Sequence, residues 1–247
     1  SGLVGSEMCI RDRYEAGQIR WEGTYAFSPT SAISHYFPFL YAPQALGLRI
    51  GELLNLSVLH TYQLAKLFAL IAACALIYGA LSIYPFSLAV LGLFVLPMSL
   101  FQMGSASLDG IAHAMSLFVI ALYLKISQQS SAKQTSTKQS STMQTTTGVV
   151  NSLVWQGILL ALCIALLTSS RMQLLPLLFL LWSCSRQTGQ KKYLFYAAAV
   201  GLFTLTWILL SITSVVDAKV TTSLTPVQAI GFYLTHPITG AQVLLST

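Results

Sequence analysis

The chain has 247 residues, of which 55% are hydrophobic and 8% charged, with a net charge of +6; its mean hydropathy is +0.69. Soluble domains carry roughly a quarter charged residues, so a soluble globular fold is excluded and the long apolar runs mark an integral membrane protein whose first partner is the lipid bilayer. The basic residues are spread over loops rather than gathered on one face, which excludes a nucleic-acid partner and reads instead as the positive-inside bias of membrane topology.

The first residues do not fit the rest. "EMCIRDR" holds four charges in seven residues, yet no apolar signal-peptide core follows it. Leu3 to Asp12 can be encoded CTC GTG GGC TCG GAG ATG TGT ATA AGA GAC, which resembles a transposase sequencing adapter read in frame. Residues 1–13 are therefore set aside from fold reasoning, Cys9 and Asp12 with them. The expectation is an interior fragment of a longer protein. Glu7, Arg11, Asp12 and Arg13 cancel, so the net charge stands without them.

Residues 14–60 read as an extracytoplasmic loop. Within it, "HYFPFLYAPQALGLRIGELLNLS" at 35–57 sets Tyr36, Phe37, Phe39 and Tyr41 where aromatic rings suit a membrane interface. Pro43 fits a first helical turn, and Leu46, Ile50, Leu53 and Leu54 follow at helical spacing. This predicts a short amphipathic helix over 43–54 on the membrane surface, with Arg49 and Glu52 toward water. It serves either as an anchor or as one wall of a groove for a lipid-linked substrate.

Six apolar segments follow, at about 64–83, 87–103, 110–126, 153–168, 172–184 and 193–215. A span needs about 20 residues. The first and last meet that; 87–103 and 110–126 are marginal, and 153–168 is short. "MQLLPLLFLLWSC" at 172–184 is a half-helix, a span kinked at Pro176, or a span that extends into polar ends. Residues 61–126 thus hold three transmembrane helices and 149–215 two or three. Between them the Ser/Thr/Gln-rich run 127–148 predicts a disordered loop. Lys125, Lys133 and Lys138 place that loop in the cytoplasm, and Arg186, Lys191 and Lys192 mark a second cytoplasmic loop. The two share a side if 153–168 and 172–184 both cross. Cys74, Cys163 and Cys184 lie in apolar runs without paired spacing and read as packing residues.

The opposite side collects the chemistry: Glu15, Glu22, Glu52, Asp109, Asp217, His35, His60, Arg171 and His236. In "LPMSLFQMGSASLDG" at 96–110, Ser107 is placed to cap a helix starting at Leu108, and Asp109 either favours the positive end of that helix or marks a functional site, since an ionisable group at a membrane boundary is costly. Gln102, Ser105 and Ser107 line a cavity or satisfy helix ends. Arg171, the only cation between 153 and 184, either snorkels to the interface or neutralises a phosphate with its guanidinium fork. There is no phosphate loop, HExxH, GxSxG or Cys/His ligand set, and no metal ligand is assigned. No internal repeat of the transporter kind is evident.

"FPFLYAPQALGLRIGELLNLS", "LAKLFAL", "LPMSLFQMGSASLDG" and "TPVQAIGFYLTHP" resemble the DUF2142 family of bacterial polytopic membrane proteins, over most of 14–247. That resemblance implies an all-α transmembrane bundle of GT-C type in the bacterial plasma membrane, active on its extracytoplasmic face. It further implies transfer of a sugar from a polyprenyl-phosphate carrier in cell-envelope polysaccharide assembly. The candidate substrate-binding residues, from the reading above, are Asp109, Arg171, Gln102, Ser105, Ser107 and His236, with a divalent metal as a candidate cofactor of the full-length protein. The family's acidic stretch would precede "YEAGQI", where the adapter-like residues stand, so the catalytic carboxylate is not assigned to any residue here. Lys66 stands where the family pattern leads one to expect Arg. A transporter or flippase, or a non-catalytic scaffold, is the alternative class.

The charge pattern makes a topological prediction. With single cysteines at Ser131 and Ser223, a membrane-impermeant thiol reagent applied to intact cells should label Ser223→Cys and leave Ser131→Cys untouched. The reverse pattern inverts the assignment.

Overall fold

The computed structural model describes residues 15, 17–20, 36–137 and 146–214. His35 and His236 lie outside them, as do residues 1–13 and the tail from 215. Leu40 opens the apolar core from a 3₁₀ turn, Pro38–Tyr41, which leads into α1 (Ala42–Leu53). There follow α2 (Val58–Ile83), α3 (Leu88–Phe94), α4 (Pro97–Gly104), α5 (Leu108–Thr137) and α6 (Thr146–Ser170). A 3₁₀ segment, Met172–Leu177, then runs into α7 (Leu178–Thr188), and α8 (Lys192–Ser214) completes the bundle. Among the described residues there is no strand beyond an isolated bridge between Arg20 and Ser57. The protein is all-α and membrane-like. Val58–Ile83, Leu108–Ser131 and Lys192–Ser211 are each long and apolar enough to cross a bilayer.

The three spans differ in how much of their surface is buried: 56% for α5, against 22% for α2 and 11% for α8. α5 is therefore the centre. Ala114, Leu117 and Ala121 on one face meet α2, and Met115, Val119, Leu122 and Ile126 on another join the core with α6, α7 and α8. α2 answers with a stripe of buried alanines, Ala65, Ala69, Ala73 and Ala80. Lipid tails are as apolar as leucine, so helices in a membrane gain most where small residues let backbones approach.

The same rule docks α1. Its buried residues are Gln44, Gly47 and Gly51, while Leu46, Leu53 and Leu54 are exposed. A Cβ on Gly47 would come within 2.6 Å of the Ala65 Cα, and one on Gly51 within 2.5 Å of the Thr61 side chain. The helix expected at 43–54 thus lies glycine-side down on α2, with its leucines outward and Arg49 paired to Glu52 at 2.9 Å in solvent.

Three expectations are corrected. The segment 87–103 is not one helix: Leu96 is extended before Pro97 (φ −57°, ψ 140°), as the residue before a proline prefers, and α3 and α4 are separate. The Ser99 hydroxyl donates to the Leu93 carbonyl across the break (2.9 Å). Residues 127–137 are not a loop, because α5 continues to Thr137. Its hydroxyls find partners there: Ser131 donates to the Ser127 carbonyl (3.1 Å) and Ser130 to the Gln187 carbonyl of α7 (3.0 Å). The segment 153–168 is longer than it reads, since α6 starts at Thr146. For 172–184, the 3₁₀ segment bearing Pro176 joins α7 and reaches polar Thr188. Because a 3₁₀ turn rises about 2.0 Å per residue and an α-helix about 1.5 Å, the pair extends about 28 Å, close to a hydrocarbon core of about 30 Å.

Two contacts fix the ends of the bundle. At one, the Ser130–Gln187 bond brings the last turns of α5 to the end of α7. Asp109 and Arg171 form an ion pair at the other. Cys163 and Cys184 are buried and free, and Cys74 is exposed on the outer surface of α2.

The glycine seam is testable. Gly47→Ala should destabilise the bundle by about 1–3 kcal/mol, the usual cost of overpacking, in unfolding titrations of the micelle-solubilised protein. Gly201→Ala, where a Cβ meets open space, should leave stability equal or slightly higher. Equal behaviour of the two variants would refute the seam.

Candidate functional site

Arg171 and Asp109 meet because the chain turns twice at the same end. α5 begins at Leu108, and Asp109 is in its first turn; α6 ends at Ser170, and Arg171 follows in extended conformation (φ −141°, ψ 107°). The carboxylate therefore lies at the positive end of one helix and the guanidinium at the negative end of the next, so both dipoles favour the pair. Gly110 brings Asp109 close to the preceding helix: a Cβ there would sit 2.8 Å from the Met103 Cα.

The side chains are half-buried, 27% exposed for Arg171 and 30% for Asp109. Nη2 of Arg171 meets Oδ1 of Asp109, and that oxygen has no other hydrogen-bond partner among the described residues. Nε of Arg171 is buried with no partner among them. The guanidinium stands over the ring of Tyr36, 6.0 Å from its centroid. Tyr41 is also near. Burial and the neighbouring Tyr36 raise its phenol above the usual tyrosine range, while the Arg171 charge pulls it down. Tyr41 therefore stays a neutral O–H donor throughout the physiological range.

The floor and rim are held by polar bonds. Gln44, 5% exposed, donates to the Ser107 carbonyl (3.4 Å) in one amide orientation and to the Tyr41 and Leu40 carbonyls (3.1 and 3.3 Å) in the other. The Ser105 hydroxyl donates to the Gln102 carbonyl (2.8 Å) and lies 2.7 Å from the Ser107 hydroxyl, which reaches the same carbonyl at 3.3 Å. Ser107 thus secures the end of α4 and does not cap α5 as its position predicts. It is the backbone of Gln102 that enters this cluster. Thr168, Ser169 and Ser170 donate to the Ile164, Ala165 and Leu166 carbonyls at 2.7–2.8 Å, and Thr168 also bonds Thr204 of α8 at 2.9 Å. Phe37 packs edge-on against Phe203 and Trp207 of α8, with centroids 5.7 and 4.8 Å apart, which lays the Tyr36–Tyr41 stretch across this end.

Of the residues singled out from sequence, the structure pairs Asp109 with Arg171 and sets Ser105 and Ser107 in the adjoining turn; His236 lies outside the described residues. Sequence reading missed Gln44 and the Thr168–Ser170 hydroxyls, although "TSSR" directly before the only cation of its hairpin was a usable signal. It read Tyr36 and Tyr41 only as interfacial aromatics. Lys66 is engaged elsewhere, its Nζ 4.7 Å over the Tyr62 ring. Among the described residues no three His, Cys, Asp or Glu side chains come together, and the carboxylate nearest the site is already paired with Arg171, so no step is derived through a metal.

These features define a polytopic all-α membrane protein with a half-buried charged pair at a bundle end. The family model described as "Predicted membrane protein (DUF2142)" matches residues 4–247, a match that reaches into the stretch set aside at the N-terminus. The chain belongs to that family. No curated protein and no solved structure matches it.

The pair should behave as a coupled unit. In a double-mutant cycle of Asp109→Ala and Arg171→Ala, unfolding in mixed micelles should give a coupling of about 1–2 kcal/mol. Additive single effects would show that the two charges are independent.

Proposed function

We propose that the protein acts in the transfer of a sugar from a polyprenyl-phosphate-linked donor during assembly of a cell-envelope polysaccharide. In this reading the Asp109 end faces the extracytoplasmic side of a bacterial plasma membrane. The observation that carries the reading is the half-buried Arg171, paired through one nitrogen with Asp109 while its Nε–H has no partner among the described residues. A donor group buried without an acceptor costs about 1–3 kcal/mol, and a phosphate oxygen offers the acceptor it lacks. Tyr36 supports the guanidinium from below, and Tyr41 supplies a second neutral donor.

The chemistry then divides. The acceptor hydroxyl oxygen attacks the anomeric carbon, the bond from that carbon to the phosphate oxygen breaks, and the lipid phosphate leaves with the electron pair. Arg171 stabilises the charge that grows on the leaving phosphate, and Asp109 orients Arg171. The proton of the acceptor passes to a carboxylate base, a role that falls to neither residue, since Asp109 is engaged by Arg171. His236 is a further candidate for substrate binding from its place in the sequence.

Asp109→Asn keeps size but removes charge, and Arg171→Lys keeps charge but removes the fork. In the full-length protein each should lower transfer from a lipid-linked sugar by about tenfold or more, equivalent to about 1.4 kcal/mol, with normal membrane insertion and unchanged thermal stability for Arg171→Lys. Wild-type transfer in both variants would overturn the reading, as would a loss of transfer matched by an equal loss of stability, which would make the pair a strut between α5 and α6.

A further inference from the structure

α6 and α8 do not close on each other along their whole length. They leave an open groove of about 380 Å³, walled by Ile158, Leu162 and Leu166 on one side and Tyr196, Ala199 and Phe203 on the other. The walls are apolar. At the Asp109 end the groove is shut, because Thr168 and Thr204 bond across it just beyond Leu166 and Phe203, and Phe37 packs on Phe203. It opens sideways to the bilayer, between this closure and the opposite end, where Tyr193 of α8 packs on Gly157 of α6.

That opposite end is cationic. Lys192 lies one helical turn before Tyr196, about 6 Å along the axis, and its Nζ is 5.7 Å over the ring of Tyr193. Tyr193 is fully buried, and a Cβ on Gly157 would touch its ring at 2.9 Å. This holds Lys192 beside the stretch of α6 where Ile158 starts the groove. Lys191 is exposed next to it, and Arg186 of the adjoining α7 stands over Trp182 at 5.1 Å. The described carboxylates, Glu15, Glu52 and Asp109, are all at the far end of the bundle, and none pairs with these three cations.

We infer that the groove holds an acyl chain of an anionic phospholipid whose headgroup lies on Lys191 and Lys192. A basic cluster beside a cleft between membrane helices is the arrangement that captures anionic headgroups, and an apolar trough open sideways to the bilayer about one helical turn from Lys192 takes the tail. This inference does not rest on the sugar-transfer reading, since the groove is closed at the Asp109 end.

The test uses the full 247-residue chain, delipidated in neutral detergent and examined by native mass spectrometry with phosphatidylglycerol or phosphatidylcholine of identical acyl composition. The wild type should retain phosphatidylglycerol about tenfold more than phosphatidylcholine. Lys191→Gln with Lys192→Gln should reduce retention of phosphatidylglycerol to that of phosphatidylcholine. Ala199→Leu, which fills the groove from an exposed wall position, should lower retention of both lipids, with helix content checked by circular dichroism. Equal retention of the two lipids by the wild type, or an unchanged preference in the lysine variant, overturns the inference. If Ala199→Leu does not fold, the lysine variant decides alone. Detergent adducts that neither lipid displaces would also overturn it.

Discussion

In a bilayer, helices gain nothing from hiding leucine against leucine, and the fold depends on the places where backbones come close. Here those places are glycines on α1 and alanines on α2. Gly47 and Gly51 seat α1 on α2 at Ala65 and Thr61, and Ala69, Ala73 and Ala80 seat α2 on α5. α5, the most enclosed of the spans, then carries α6 and α7 on its other face. Because α1 is fixed to α2 by backbone contact, the 3₁₀ turn before it is fixed too. Tyr36, Tyr41 and Gln44 thereby come to the same end as Asp109 and Arg171. The polar site is thus a consequence of apolar small-residue packing elsewhere.

Arg171 deserves its partner for a local reason. Thr168, Ser169 and Ser170 each donate back to the carbonyl four residues earlier. Such back-bonding holds these three hydroxyls against their own helix. Arg171 follows them in extended conformation, and its guanidinium reaches across to Asp109 and over Tyr36. One hydroxyl, on Thr168, does a second task by reaching Thr204 and tying α8 to the same end.

The sequence shows much of this and hides the rest for identifiable reasons. Apolar runs announce the long helices, and the spacing of Leu46, Ile50, Leu53 and Leu54 with Pro43 announces α1. Charge asymmetry places Asp109 and Arg171 at one end, although proximity within that end comes from Gly110 and the turn after Ser170, which no periodicity encodes. Hydropathy cannot locate the alanine seam, because alanine reads alike whether it faces lipid or another helix. Nor does it see the break at Pro97 or the extension of α5 to Thr137, where apolar content falls while hydrogen bonds to α7 persist. The tail with His236 is legible only as sequence.

The proline at the head of α4 has a mechanical consequence for the membrane itself. Leu88–Gly104, taken at helical rise, reaches about 25 Å, some Å short of an average hydrocarbon core. Leu88, Val95, Met98 and Phe101 are nonetheless among the most exposed apolar side chains of the protein. A short apolar segment is accommodated when the surrounding bilayer thins or flanking side chains stretch, at a fraction of a kcal/mol per Å. The shortfall thus lies beside α3 and α4 and not beside α2, whose 26 residues exceed the core thickness. The apolar height that the protein offers its annulus is uneven, and least along the flank that contains the Leu96–Pro97 break.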